Sequence, residues 1–233
     1  MKDVKDWYEE SYKEGGIASQ RRYPNEELLR FFGVNFFDKD VCNRNDIKVL
    51  EVGCGSCSNL WMIAREDFDA YGLDLSDESL LLGKKMLESW HVDATLKQGS
   101  FLDLPYDNDS FDVVVDVFSM NCVNHSQFLR ALDEAFRVLK KGGKFFSYTP
   151  SQSSDAFTRH YPAEKIDAFT LSGIYRDSSP FAGNHYPFHF WEIDSYRDAL
   201  LNIGFSVNYL ETIQRSYYQA LDRFEHIVVH AEK

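Results

Sequence analysis

The sequence is short of cysteine, of positive charge and of long apolar runs. Its four cysteines, Cys42, Cys54, Cys57 and Cys122, are too few for a disulfide scaffold in a chain of 233 residues. It carries 25 Lys and Arg against 37 Asp and Glu, a formal net charge of −12, without a long basic run. Because nucleic acids and anionic lipids are bound through cationic contacts, we expect neither a nucleic-acid partner nor a membrane partner.

Apolar runs are also short. No stretch approaches the roughly 18 apolar residues of a membrane span, and the first residues, MKDVKD, form no apolar signal core. A hydrophobic content of 44% with 15% aromatic residues is nevertheless enough to bury a core. We therefore expect a cytoplasmic protein with a single domain over residues 1–233.

Short apolar runs alternate with amphipathic stretches along most of the chain. Strands are predicted at 47–52, 70–73, 111–115 and 144–148, with helices at 59–65, from an N-cap at Ser76, and from an N-cap at Ser126 to Gly142-Gly143. This order predicts an α/β fold, a mostly parallel sheet with helices on both faces. A helix at 192–202 and an antiparallel hairpin of strands at 205–213 and 224–230 close the chain.

Two further segments flank this core. Residues 1–46 are helical in pattern, broken at Gly15-Gly16 and restarted by Pro24, and they form a predicted N-terminal helical cap. Residues 151–191 have no regular period and are rich in aromatic residues and histidine, which predicts an insertion that covers a site.

A glycine loop follows the first predicted strand. Gly53 and Gly55 come directly after Glu51-Val52, and glycine permits both positive φ and close approach of a ligand to the backbone. Asp74 ends the second strand, 21 residues after Gly53, where a carboxylate accepts hydrogen bonds from the hydroxyls of a ribose. The loop is therefore predicted to cradle a ligand that carries an adenosine group.

The same loop contains a C-x-x-C pair, Cys54 and Cys57. Zinc needs a second pair of ligands and the sequence offers none nearby, so we interpret both as loop residues and expect no metal.

Four segments in order resemble the class I S-adenosylmethionine-dependent methyltransferases. They are VLEVGCGSC at 49–57, YGLDLS at 71–76, LPYDNDSFDVVVD at 104–116 and LKKGGKFF at 139–146. The resemblance covers about residues 47–150 and implies a Rossmann-like, doubly wound sheet of seven strands whose last strand is antiparallel. It also implies S-adenosylmethionine as the cofactor.

The resemblance assigns roles to the matched positions. Gly53, Cys54 and Gly55 pass beneath the methionine part of the cofactor, Asp74 takes the ribose hydroxyls, and Glu51 faces the methionyl ammonium. Leu75, Ser100 and Phe101 surround the adenine, and Asp116 and Phe118 lie beside the sulfonium. The third glycine usual in the family is Cys57 here, and a frequent Asp at the adenine edge is Ser100. We expect Cys57 to lie in the first helical turn, where a Cβ is tolerated.

The sequence indicates the residues that bind the substrate, the methyl acceptor, less specifically. Tyr12, Arg21 and Tyr23 of the cap, with Asn121 and Asn124 after the fourth strand, are candidates for binding a substrate, although the asparagines could equally form turns. A hydroxyl acceptor also needs a general base, and His160, His185 or His189 of the insertion could serve.

These observations predict a methyltransferase that acts on an O or N atom of a small polar metabolite. Two alternatives remain open at this point. An NAD(P)-dependent oxidoreductase shares the loop and Asp74, and a non-catalytic binding subunit would share the fold while losing contacts to the cofactor.

Overall fold

The computed structural model describes residues 2–38 and 44–233. Cys42 lies outside the described residues. The helices are α1 (Lys2–Gly15), α2 (Glu26–Phe36), α3 (Leu60–Arg65), α4 (Asp77–Ser89), α5 (His125–Val138), α6 (Asp155–Thr158) and α7 (Ile193–Ile203), with 3-10 turns at Ile17–Ser19 and Met120–Cys122. The strands are β1 (Lys48–Val52), β2 (Asp69–Asp74), β3 (Thr95–Gln98), β4 (Phe111–Val117), β5 (Leu139–Pro150), β6 (Thr170–Leu171), β7 (Phe188–His189), β8 (Ser206–Tyr217) and β9 (Asp222–Glu232).

Seven strands form one sheet in the order β3-β2-β1-β4-β5-β9-β8. The first five are parallel, and β9 runs antiparallel to both β5 and β8. The predicted fold class is therefore confirmed, including the antiparallel last strand. The strand order reverses at β1, which pairs with β2 on one side and β4 on the other, and in open α/β sheets this is where ligands bind.

Helices cover both faces of the sheet, because its central strands β1 and β4 are buried on both sides. On one face, Phe128 of α5 and Leu200 of α7 pack in a cluster with Val114 of β4. On the other face, Phe31 of α2 and Leu60 of α3 pack with Val113. The cap helix α2 thus closes one side of the sheet.

The predicted bounds of the helix α5 need two corrections. Asn124, not Ser126, is the N-cap, because its side chain accepts from the Gln127 amide while the Gln127 side chain accepts from the Asn124 amide. The helix also ends at Val138, before Gly142-Gly143, since Leu139 already pairs with Phe111 in the sheet.

The insertion at 151–191 is folded and contains α6 and the two-stranded sheet β6-β7. It forms a third apolar cluster with residues from distant parts of the chain, among them Val4 of α1, Cys122 and Phe224 of β9. Within residues 2–38 and 44–233, no helix is both long and apolar enough to span a membrane.

Candidate functional site

The glycine loop joins β1 to α3 at the carboxyl edge of the sheet. Gly53 and Gly55 have φ of +64° and +51°, the left-handed region that glycine adopts without strain. A Cβ on Gly53 would lie 2.2 Å from the Cβ of Ser119, and one on Gly55 would lie 2.7 Å from the Tyr12 hydroxyl. A side chain at either position would therefore be strained, at Gly53 it would also clash with Ser119, and α1 lies over the loop.

Cys57 takes a different conformation from the one we expected. It precedes α3 rather than lying in its first turn, and its φ is +63°, so it adopts the backbone conformation of the glycine that it replaces. Its side chain is buried against α4, where a Cβ built on Gly83 would meet the Cys57 Sγ at 2.6 Å. The absence of a side chain at Gly83 accommodates the cysteine.

Asp74 lies at the end of β2 beside the loop. Its Oδ2 accepts from the Gly55 amide at 2.8 Å and its Oδ1 from the Ser76 amide at 2.9 Å. Burial raises the pKa of Asp74 above its usual value, and these amide hydrogen bonds oppose the rise. The Asp74 carboxyl group is thus fixed in place at the edge of the sheet.

Glu51 is buried beneath the loop. Asn59 donates to its Oε1 at 2.6 Å, whereas its Oε2 has no hydrogen-bond partner. Burial raises the pKa of Glu51 to about 8. Arg21 donates to Asn59 Oδ1 at 2.7 Å, so a chain of contacts runs from the cap through Asn59 to Glu51. A buried carboxyl group with an unpaired oxygen suits a cationic ligand group, whose charge favours the ionised form.

A cavity of about 200 Å³ opens over this loop. It is bordered by α1, the glycine loop and the ends of β2 and β4. Eight of the ten residues predicted to bind a cofactor line it, as do two of the five predicted to bind a substrate. These residues are Glu51, Gly53, Cys54, Gly55, Asp74, Leu75, Phe101 and Phe118, with Tyr12 and Arg21.

The remaining predicted binding residues do not line the cavity. Ser100 accepts from the Leu102 amide, and Asp116 is fully buried, accepting from Ser119, Met120 and Ser147. Asn121 is buried without a hydrogen bond to its side chain, Asn124 caps α5, and Tyr23 is 64% exposed against Trp90.

The three histidines proposed as bases also lie away from the cavity lining. His160 contacts the Ala163 carbonyl at 2.8 Å, and His185 is exposed beside Tyr175. His189 is fully buried and contacts His125 Nδ1 at 3.0 Å, and burial lowers its pKa to about 3. A basic role for any of them remains a prediction.

Several residues that border the cavity were given no individual role from the sequence. Asn59 follows the glycine loop and Ser119 lies two residues after β4, a position that marks candidates in open sheets. Tyr8 and Cys122 also line the cavity, and Tyr8 hydrogen-bonds to Tyr186 of the insertion. Tyr8 lies one helical turn before Tyr12, so the i, i+4 spacing of α1 was the available signal.

Cys54 and Cys57 are free thiols, and a hydrogen bond to Cys57 together with burial holds the pKa of Cys54 well above its usual value. Within the part of the chain that the structure describes, no group of three or more His, Cys, Asp or Glu is placed to hold a metal ion.

Comparison with known proteins points to one family. A family model described as "Methyltransferase domain" matches residues 49–143. The demethylmenaquinone methyltransferase of Bacillus mycoides is 35% identical over 111 residues, which cover 45% of this chain and 45% of that protein. The enzyme of the same name from Alkalihalophilus pseudofirmus is 33% identical over 124 residues, 49% of this chain and 51% of the relative. The chain thus spans about half the length of the curated relatives it matches.

Solved structures share the fold over more of the chain. An S-adenosylmethionine-dependent methyltransferase from Methanosarcina mazei has a TM-score of 0.68 at 20% identity, covering 83% of this chain and 96% of its own. A putative methyltransferase from Bacillus halodurans has a TM-score of 0.69 at 17% identity, covering 90% and 99%. At these identities the likeness concerns the fold.

Proposed function

Because the chain belongs to the class I S-adenosylmethionine-dependent methyltransferases, we propose that it transfers a methyl group from that cofactor to an oxygen or nitrogen atom of a small polar metabolite. The observation that carries the proposal is the unpartnered Oε2 of Glu51, buried beneath a glycine cradle and beside Asp74. That combination fits a ligand which carries both an ammonium and a ribose.

Each part of the site has a role in this proposal. Asp74 accepts hydrogen bonds from the ribose hydroxyls, and Glu51 forms an ion pair with the methionyl ammonium. Gly53 and Gly55 let the ligand lie against the backbone, while Leu75 and Phe101 flank the adenine. When bound, the cofactor supplies an electrophilic methyl group on a positively charged sulfur. The protein then contributes mainly by holding the acceptor in line and excluding water.

The proposal of a small acceptor rests on charge and enclosure. The net charge of −12 is unfavourable for binding nucleic acid, which requires phosphate neutralisation. The cavity is enclosed by α1, and its acceptor part is aromatic, bordered by Tyr8, Tyr12 and Phe118. Such a lining suits one small molecule held on several sides.

A second candidate acceptor comes from the relatives. The curated proteins that match residues in this core are named for demethylmenaquinone, and the aromatic rings that border the cavity are compatible with a planar acceptor of that kind. Methyl transfer to demethylmenaquinone is therefore part of the same test.

The test has a binding arm and a transfer arm. Calorimetry compares S-adenosylmethionine, S-adenosylhomocysteine and NAD, and we expect the first two to bind and NAD not to. Labelled methyl transfer is then measured against a metabolite panel, demethylmenaquinone, total tRNA and protein extract. Preferential binding of NAD would favour an oxidoreductase, and an absence of cofactor binding would favour a non-catalytic subunit. Transfer into macromolecules alone would contradict the proposed substrate class.

A further inference from the structure

One face of α1 continues the cavity beyond the glycine loop. Val4, Tyr8 and Tyr12 are spaced four residues apart, lie on the same side of the helix and all line the cavity. The Tyr12 hydroxyl touches the loop at Gly55, and its ring stacks on Tyr8 with 5.8 Å between the ring centroids. Tyr8 therefore borders the cavity one helical turn away from the loop.

The Tyr8 hydroxyl contacts two buried groups that belong to other segments of the chain. It lies 2.8 Å from the hydroxyl of Tyr186 and 3.4 Å from the Sγ of Cys122. Tyr186 is 2% exposed and does not line the cavity, whereas Tyr8 is partly exposed and does. When Tyr186 donates to Tyr8 and Tyr8 donates to Cys122, one lone pair of the Tyr8 hydroxyl is left to accept a hydrogen bond from a ligand.

The groups that contact the Tyr8 hydroxyl are uncharged, and the cation Arg21, which also lines the cavity, donates to Ser58 and Asn59. Burial raises the pKa of both Tyr8 and Tyr186 well above the usual value, so both hydroxyls are neutral. Lys5, the cation on this part of α1 that lines the cavity, is bonded to Asp77 at 3.3 Å and lies 3.9 Å from Glu9. Neutral hydroxyls hold a ligand by hydrogen bonds and do not compensate a buried charge.

The walls around this hydroxyl are aromatic. Phe118 lines the cavity, and the Phe181 ring stacks on it with 4.5 Å between the ring centroids; Tyr12 of α1 lines the cavity as well. Among the described residues that line the cavity there is no histidine, and the two carboxyl side chains there, Glu51 and Asp74, lie at the ends of β1 and β2 beside the glycine loop. A hydroxyl acceptor would need a base, while an uncharged amine attacks without one.

We propose that Tyr8, supported by Tyr186 and Cys122, holds the methyl acceptor, and that this acceptor is a small planar molecule with an uncharged nitrogen, such as an aromatic amine. This inference rests on the proposed methyltransferase function and assigns its substrate class. The nitrogen lone pair forms the new bond to the methyl carbon, and the electron pair of the S–CH3 bond stays on sulfur. The positive charge thereby moves to nitrogen, which then loses a proton to water. Tyr8 accepts a hydrogen bond from the amine, and Tyr186 is a positioning residue.

The test uses ring compounds as probes of the full chain bound to S-adenosylhomocysteine. Aniline is uncharged near neutral pH and carries N–H donors, toluene has the same shape without them, and benzoate and benzylammonium carry opposite charges. Binding is followed by ligand-observed NMR titration. We expect aniline to bind more tightly than the other three, because it alone combines neutrality with a hydrogen bond to Tyr8.

Two matched variants locate the contact. Tyr8→Phe should weaken aniline binding by about two- to tenfold, the effect of losing one net hydrogen bond, and should leave toluene unchanged. Tyr106→Phe is the control, because the Tyr106 hydroxyl is buried without a hydrogen bond and does not line the cavity. Both variants should bind S-adenosylhomocysteine as the wild type does, which also shows that they are folded.

The outcomes separate the two proposals. Failure of the wild type to bind S-adenosylhomocysteine would contradict the proposed function itself. With that binding intact, equal affinity of Tyr8→Phe and Tyr106→Phe for aniline would overturn the placement of the acceptor. Tighter binding of benzoate or benzylammonium would overturn the neutral class, and preferential labelled transfer to phenol over aniline would overturn the nitrogen assignment.

Discussion

The contact between Gly83 and Cys57 makes a sharp prediction about stability. A Cβ on Gly83 would lie 2.6 Å from Cys57 Sγ and 3.6 Å from its Cβ, and both residues are buried. Overpacking of this kind costs about 1–3 kcal/mol. Replacing glycine by alanine inside a helix such as α4 gains about 1 kcal/mol. Gly83→Ala should therefore lower the free energy of unfolding by up to about 2 kcal/mol.

The sign should reverse when the sulfur is removed. In a Cys57→Gly background the clash is absent, so Gly83→Ala keeps only the helical gain and should stabilise the protein by up to about 1 kcal/mol. The coupling between the two substitutions is then about 1–3 kcal/mol. Gly33→Ala in α2 is the matched control, because its Cβ would meet Phe37 at an ordinary 3.9 Å and has no contact with Cys57.

The assay is urea unfolding followed by the fluorescence of the four tryptophans, on the four proteins of the cycle and on Gly33→Ala in both backgrounds. Gly33→Ala should produce the same change in each background. If Gly83→Ala also shifts the midpoint equally in both, Cys57 does not occupy the space over Gly83 in the way described, and the reasoning fails.

Three further predictions concern the site. Asp74→Ala should weaken the binding of S-adenosylhomocysteine by about 1.5–3 kcal/mol, the value of a hydrogen bond to a charged group. Asp69→Ala, at the start of β2, is the control and should leave this binding unchanged. If calorimetry finds the same affinity in Asp74→Ala as in the wild type, Asp74 does not bind the ribose. Because burial raises the pKa of Glu51 from 4.5 to about 8, its contribution to stability without cofactor is complete below 4.5 and is lost as the pH rises towards 8. Glu51→Gln should remove this part of the pH dependence, and urea midpoints that differ from the wild type by the same amount at both ends of the range would contradict it. The double variant Cys54→Ser, Cys57→Ser should fold and bind S-adenosylhomocysteine, and stoichiometric zinc found in the parent protein by metal analysis would show that the pair is a metal site.

The centre of the fold could be predicted because its signals are local. Strands β1, β2 and β4 appear within two residues of their predicted bounds, since each is a short apolar run with a turn at its end. Asp74 could be placed beside Gly55 because carboxyl ends of neighbouring parallel strands meet at one edge of the sheet.

The two errors differ in kind. Ser126 and Asn124 are both good N-cap residues, and the reciprocal bond between Asn124 and Gln127 is a local signal in the sequence that selects Asn124. The conformation of Cys57 could not be read from its neighbours in sequence, because the space for its side chain is provided by Gly83 on another helix.

The contacts of Tyr8 at the acceptor end could not be predicted from the sequence for the same reason, on a larger scale. Tyr8 contacts Cys122 at a sequence separation of 114 residues and Tyr186 at a separation of 178, and no pattern within one segment predicts such a contact. The cofactor end, in contrast, is built from the loop after β1 and the end of β2. The two ends therefore draw mainly on different parts of the chain, with Tyr12 of α1 as the contact between them. Specificity for the acceptor is accordingly expected to depend on those two segments, while the binding of the cofactor depends on the core.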